Sequence, residues 1–241
     1  MSHLHRFHVA PEALSAERID LPAHEAHHAL RVARVRVGDT VSLFDGTGGE
    51  VSGPVAKADR DGVAVSVETR RQESPAQDGL TLAQAWLNRE KSVERIILRG
   101  TELGVTRFVF FRGDHSERGP RRNDKWNRFA VEACKQCGRL FLPEFVLQDD
   151  LTAALGAVEG DALLATIEPP HVPLASALAE RNHALVAIGP EGDFSEAELA
   201  AAERAGAARV SLGEATLRSE IAAVTAVTLI QYERGQLGAR A

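Results

Sequence analysis

Beyond residue 80 the chain alternates short apolar runs with longer segments that are apolar on one side, a rhythm that predicts repeated strand–helix units. Strands are expected over residues 80–87, 107–112, 144–147, 162–167 and 184–188. The intervening helices are expected over residues 91–103, 123–137, 151–158 and 174–181. The run at 184–188 stops at Gly189-Pro190, as a buried strand does at a sharp turn. Ser195 is then placed to cap a helix, Glu198 completes a capping box three residues on, and Gly206 suits the left-handed residue after the helix end. A further strand over 209–212 ends at Gly213, and a long apolar helix is expected over 219–232. Strands alternating with helices argue for an α/β fold with a mainly parallel sheet covered on both faces.

The first 72 residues follow another pattern. Residues 40–44, 51–58 and 63–68 read as short strands, separated by the turn signals Asp45–Gly49 and Asp61-Gly62, and this spacing suggests a small β-barrel. A helix is expected over 24–33. The stretch from Arg70 to Gly79 is polar and holds the proline and glycine of a linker. The division is therefore a barrel domain over 1–72, a linker over 73–79 and an α/β domain over 80–241.

Composition narrows the function classes. No apolar run approaches the ~20 residues needed to span a bilayer, the first residues lack the apolar core of a secretion signal, and two cysteines cannot make a disulfide framework; a cytoplasmic address without membrane attachment is expected. The net charge of −6 opposes a nucleic-acid partner, but the charge is unevenly spread. Residues 107–139 carry nine Lys/Arg against four Asp/Glu, whereas 143–206 carry two against twelve. A basic segment on an acidic protein still provides a phosphate-binding footprint, and a solvated helical face is the plain alternative.

Two glycine loops at the carboxyl ends of neighbouring strands, Gly189–Gly192 and Leu212-Gly213, lie where open α/β sheets bind ligands. Glycine allows close backbone approach, and the first loop leads into a helix N-terminus, which attracts anionic groups. No G-x-G-x-x-G follows the first strand of either domain and no Walker A sequence is present, which excludes the commonest nucleotide-binding loops. Six histidines fall within the first 28 residues, but no acidic or cysteine partner stands at a metal-site spacing, so no metal is expected. Cys134 and Cys137 lack a second pair and read as packed or idle thiols.

GPEGDFS followed some twenty residues later by LGEATLRSE resembles the cofactor loops of the SPOUT methyltransferases, and within them the family that methylates N3 of a uridine in 16S ribosomal RNA. The resemblance extends to Glu90-Lys91, Thr101–Gly104, Ser116-Glu117-Arg118, residues 132–139, Arg6-Phe7 and residues 43–46, and so to nearly the whole chain. It implies a trefoil-knotted methyltransferase domain preceded by a PUA- or OB-like barrel that helps bind RNA. It also implies a homodimer formed through the knotted domain and a 16S rRNA or small-subunit substrate. S-adenosyl-L-methionine would be held by Thr166, Ile167, Ile188, Gly189, Pro190, Glu191, Gly192, Leu212, Gly213, Leu217 and Ser219. Arg218 and Glu220 would carry the chemistry. N3 of uracil is a poor nucleophile until its proton leaves, so a carboxylate such as Glu220 would take that proton. Arg218 would stabilise the anion or hold phosphate. The plain alternative for Glu220 is a first-turn acid facing the helix dipole. The target base must be splayed out of its RNA, with phosphates held by Arg6, Arg31 and Arg34 in the barrel and by Arg112, Arg118, Arg121, Arg122, Lys125 and Arg139 beyond it. A surface role is the alternative for each.

Three positions depart from the family pattern: Asp193 for Gly, Ser219 for Thr and Ile221 for Thr. Two other readings stay open at this point. One is a methyltransferase of the same fold acting on a 2′-hydroxyl or another base. The other is a non-catalytic RNA-binding ribosome-assembly factor.

Overall fold

The computed structural model describes residues 4–157, 160–178 and 183–238. The chain divides into two compact units, Met1–Pro75 with Val131–Leu142, and Ala76–Ala130 with Pro143–Ala241.

The first unit holds β1 (His5–His8), β2 (Arg18–Asp20), α1 (Ala23–His28), β3 (Thr40–Phe44), β4 (Gly49–Asp59), β5 (Gly62–Ser66) and β6 (Thr69–Gln72). Its sheet runs β1-β3-β4-β5-β2, with β6 added to β4. The expected 45–49 turn forms because the Asp45 carboxylate accepts hydrogen bonds from the backbone N–H of Thr47 (2.7 Å) and Gly49 (2.9 Å). β4 is long enough to pair with three strands, and its register shifts between Val55 and Lys57. At Gly53 a Cβ would stand 1.9 Å from the Ser66 carbonyl, so only glycine lets the strands cross there. Alternate residues Val51 and Val55 point inward and join Phe7, Val41, Leu43, Val63 and Val65 in the core.

Three strands were not expected: β1, β2 and β6. Each has three or four residues, and β6, the start of the polar stretch read as linker, is exposed throughout, so no alternation marks it. The expected 24–33 helix is α1 followed by a π-helical turn, Ala29–Ala33, which Arg34 ends in the left-handed region at φ 56°. Val131–Leu142 contributes core as well as chain: Cys134 and Leu140 pack on Phe44. Arg6 donates to the carbonyls of Gly138 (2.8 Å) and Arg139 (3.3 Å). Lys135, nearly buried, pairs with buried Glu25 at 3.0 Å and lies 3.4 Å from His28 Nδ1. The Cys134 thiol is pushed up to about 12 by burial, which suits a packed group. His3, one of the six early histidines, lies outside the described residues.

The second unit contains β7 (Leu80–Ala85), α2 (Glu90–Glu102), β8 (Arg107–Phe111), the start of α3 (Lys125–Cys137), β9 (Glu144–Gln148), α4 (Leu151–Leu155) and β10 (Asp161–Ala165). Then come α5 (Leu174–Ala177), β11 (Ala184–Ile188), α6 (Glu196–Arg204), β12 (Ala208–Val210) and α7 (Ser219–Glu233). All strand pairs are parallel, in the order β12-β10-β11-β7-β8-β9. The strands before the two glycine loops, β11 and β12, are therefore not neighbours as expected but are separated by β10, which pairs with both. Ala83, Ala85, Val109, Phe111, Leu185 and Ala187 face α4 and α6. Side chains alternate along a strand, so Gln84 points the other way, where α7 packs beside α2. Several elements are shorter than expected: β7 and β10 each stop two residues early, and α4 ends at Leu155, before Gly156. β12 ends at Val210, leaving Ser211 to Leu217 as loop, and the expected 174–181 helix is one turn, stopped by extended backbone at Leu178. Residues 179–181 of that expected helix, and Val158 of the one before, lie outside the described residues. Among the described residues no helix is long and apolar enough to cross a membrane.

Candidate active site

Strand order reverses between β7 and β11: the chain runs outward from β7 to β8 and β9, then returns to β10 beyond β11. In open α/β sheets the crevice at such a point, outside the carboxyl ends of the strands, is where ligands bind. The loops after β7, β10, β11 and β12 converge there on a cavity of about 800 Å³, within the usual size of small-molecule sites.

The floor is held by a buried polar lock. Ser219, the first residue of α7, donates its hydroxyl proton to the Gly189 carbonyl at 2.6 Å. Gln84, wholly buried at the end of β7, donates to Ser219 Oγ at 2.9 Å, to Gly189 O at 3.3 Å and to Ala85 O at 3.0 Å. One amide therefore joins β7, the β11 loop and the start of the last helix.

The Gly189–Asp193 loop is fixed from both sides. Its helix opens with the expected capping box, Ser195 and Glu198 each bonding the other's backbone N–H. Glu198 also accepts from Asp114 N at 3.2 Å, and Ser195 Oγ donates to the Asp114 carboxylate. Burial raises the Glu198 pKa, while the two backbone N–H donors pull it down. His115 Nδ1 lies 2.9 Å from Gly192 O and 3.0 Å from Asp193 O; both are carbonyls, so this nitrogen donates. The Asp193 and Gly192 carbonyls raise the imidazole pKa above its ordinary value. On the other side, the Asp193 carboxylate accepts from Thr166 Oγ1 at 3.0 Å and from Ile167 N at 3.2 Å. Asp193 does so with φ at 56°.

The cavity brings together Thr166, Ile167, Ile188, Gly189, Pro190, Glu191, Gly192, Leu212, Gly213, Leu217, Arg218, Ser219 and Glu220. Glycines leave bare backbone at 189, 192 and 213, and Ile188, Leu212 and Leu217 offer apolar surface. Arg218 caps α7 and is exposed, and Glu220 stands in its first turn. Among the described residues neither side chain has a hydrogen-bond or ion-pair partner, so both are available to a ligand. Asn88, Arg89 and Ser92 complete the wall from the start of α2. Sequence reasoning missed them, although Glu90-Lys91 marked the segment.

The expected RNA contacts are spread more widely. Arg112, Arg118, Arg121, Arg122 and Lys125 are exposed on the second unit, and Arg122 also donates to Phe145 O at 3.1 Å. On the first unit Arg31 and Arg34 are exposed and Arg139 is half-buried. Arg6 is mostly buried: besides its two carbonyl contacts it pairs with Glu50 at 3.3 Å and lies over the Phe44 ring.

Comparison with known proteins adds to this geometry. Residues 73–231 match the model of an RNA methyltransferase domain, and residues 21–68 that of an RNA methyltransferase PUA domain. The chain belongs to this RNA methyltransferase family. Among its curated relatives is a ribosomal RNA small subunit methyltransferase E from Mycobacterium bovis, 30% identical over 84% of this chain and 82% of the relative. Another of the same name, from Synechocystis, is 29% identical over 94% of this chain and 77% of the relative. A probable rRNA-methyltransferase from Porphyromonas gingivalis has the same fold (TM-score 0.83, 31% identity, covering 97% of this chain and 99% of that one). So does a ribosomal RNA small subunit methyltransferase E from Neisseria gonorrhoeae bound to S-adenosyl methionine (TM-score 0.85, 24% identity, covering 95% and 98%). The family fold is thus a mixed α/β methyltransferase fold accompanied by a PUA-like domain.

Proposed function

We propose that this protein methylates N3 of a specific uridine in 16S ribosomal RNA of the small ribosomal subunit, with S-adenosyl-L-methionine as cofactor. The observation that carries the reading is the pair Arg218 and Glu220, which have no partner among the described residues, stand at the N-terminus of the last helix and line the cavity that two strand-end glycine loops help build. The cavity suits the cofactor: bare backbone at the glycines admits close approach, Ile188, Leu212 and Leu217 suit a purine, and carboxylates suit a cation. When bound, that cofactor supplies an activated methyl group.

The chain's own groups do the rest. Glu220 takes the proton from N3, and Arg218 stabilises the negative charge that spreads to the uracil oxygens. The Gln84–Ser219–Gly189 lock keeps the β11 loop and the start of α7 in register, so that both groups meet the base in one geometry. Exposed Arg112, Arg118, Arg121 and Lys125 in the second unit, with Arg31 and Arg34 in the first, hold phosphates of the splayed RNA. In this reading residues 1–72, completed by Val131–Leu142, form the RNA-binding barrel, 73–79 the linker and the rest of 80–241 a trefoil-knotted SPOUT domain, and the protein works in the cytoplasm. A homodimer through the knotted domain is supported by a stripe along α7, where Ile221, Leu229 and Tyr232 are exposed.

The test is methyl transfer from labelled cofactor to small subunits from cells lacking this protein, followed by nucleoside identification by mass. Stoichiometric 3-methyluridine at one site, lost in Glu220→Ala or Arg218→Ala, is expected. A 2′-O-methyl nucleoside would keep the fold and overturn the chemistry, and absence of label with cofactor bound would favour a binding factor.

A further inference from the structure

We infer that Asp193 is a specificity-determining residue that makes the cavity read the positive charge of its ligand, favouring the sulfonium cofactor over the neutral thioether product; the inference rests on the cofactor reading above. A non-glycine residue in the left-handed region is costly and persists where its surroundings fix it, often at functional sites. Asp193 is such a residue, and it lines the cavity. One carboxylate oxygen, Oδ2, is fixed by Thr166 Oγ1 and Ile167 N. The other, Oδ1, has no hydrogen-bond donor among the described residues. It lies over Gly189, where a Cβ would come within 3.0 Å of it. The charge is therefore held in place at the junction of the β10 and β11 loops, not swinging in solvent.

The balance of charge in the cavity makes that position matter. Its charged lining groups are Arg89, Arg218, Glu191, Asp193 and Glu220, three carboxylates against two guanidinium groups. Without Asp193 the wall is neutral; with it, the wall is negative. Methyl transfer turns a sulfonium into a thioether and so removes one positive charge from the ligand. The adenosine and the amino-acid group are common to cofactor and product, so their contacts cancel when the two are compared. A fixed carboxylate in a partly desolvated cavity does not cancel, because it attracts only the cationic form. The group thus limits product inhibition by raising the affinity of the cofactor over that of the product.

Asp193→Asn separates charge from structure. The amide oxygen still accepts from Thr166 and Ile167, and asparagine tolerates the left-handed backbone. Calorimetry on the full chain would measure S-adenosylmethionine, S-adenosylhomocysteine and sinefungin, the last carrying an ammonium in place of the sulfonium. The variant is expected to bind S-adenosylmethionine and sinefungin about tenfold more weakly, with S-adenosylhomocysteine changed by less than about twofold. Asp193→Gly, which relieves the backbone, is expected to lose the same preference while weakening all three through the lost loop contact. An unchanged preference in both variants, or a loss shared equally by all three ligands in Asp193→Asn, would overturn the inference. A wild-type protein that binds none of the three would overturn the cofactor reading itself.

Discussion

Replacing Ser219 by alanine removes one hydroxyl from the floor of the cavity, and its cost can be worked from the contacts it makes. The hydroxyl donates to Gly189 O at 2.6 Å and accepts from Gln84 at 2.9 Å, both out of water. Two neutral buried hydrogen bonds are worth about 0.5–1.5 kcal/mol each. The penalty for the bereft partners is partial, since Gln84 keeps Ala85 O and both it and Gly189 O keep their mutual contact at 3.3 Å. A destabilisation of about 1–3 kcal/mol is therefore expected. Gln84→Leu should cost at least as much, and the two losses should overlap by about 1 kcal/mol in the double variant, because each breaks the same bond. Urea unfolding followed by tryptophan fluorescence is the right assay, since both tryptophans, Trp86 and Trp126, belong to the second unit. Cofactor affinity should fall in parallel as the β11 loop loosens from α7. If Ser219→Ala unfolds within about 0.5 kcal/mol of wild type, and the double-variant cycle shows no coupling, the lock is not what holds these loops together.

Lys135→Met strands the Glu25 carboxylate, only 2% exposed, without its buried cation and should destabilise the first unit by about 3–5 kcal/mol. The pairing of Lys135→Met with Glu25→Gln should cost less, and hydrogen exchange in β1 and β3 would read both. His115 has a raised pKa in the folded protein, so its contribution is full below about 6.5 and is lost as pH rises through the higher folded value. Proton NMR should find this imidazole titrating above 6.5, and a value at or below that would refute the carbonyl contacts. Leu229→Glu with Tyr232→Glu should turn a dimer into a monomer by light scattering; a wild-type monomer at micromolar concentration would sink the dimer instead.

What could be read from the chain was what local chemistry sets. The Ser195–Glu198 capping box, Gly206 at φ 80° and the Ile188–Gly189 strand end were legible because each depends on neighbours within four residues. That Thr166, Ile167, residues 188–192, Leu212, Gly213 and residues 217–220 meet at one cavity was legible through the order of two glycine motifs. What escaped was set by closure of the fold. β1, β2 and β6 are too short and too polar to carry a period, and their pairing partners stand far away in sequence for β1 and β2. Arg6 reads as one more surface cation until Gly138 and Arg139 return to meet it. Asn88 and Arg89 enter the site only because β7 and β11 are neighbours across a hundred residues. The Asp193–Thr166 contact likewise needs two loops from different strands.

The return of Val131–Leu142 to the first unit sets a limit on how this protein can be taken apart. A chain cut after Pro75 would expose one side of Phe44, leave Arg6 without its carbonyls and bury Glu25 without a counter-charge. The PUA-like unit is therefore not a portable cassette that could be lifted from one enzyme and joined to another by a cut after Pro75. On the ribosome it cannot finish folding until residue 142 has emerged, by which time β7 and β8 of the other unit are already made. A chimera meant to exchange this unit must carry the second half of α3 with it.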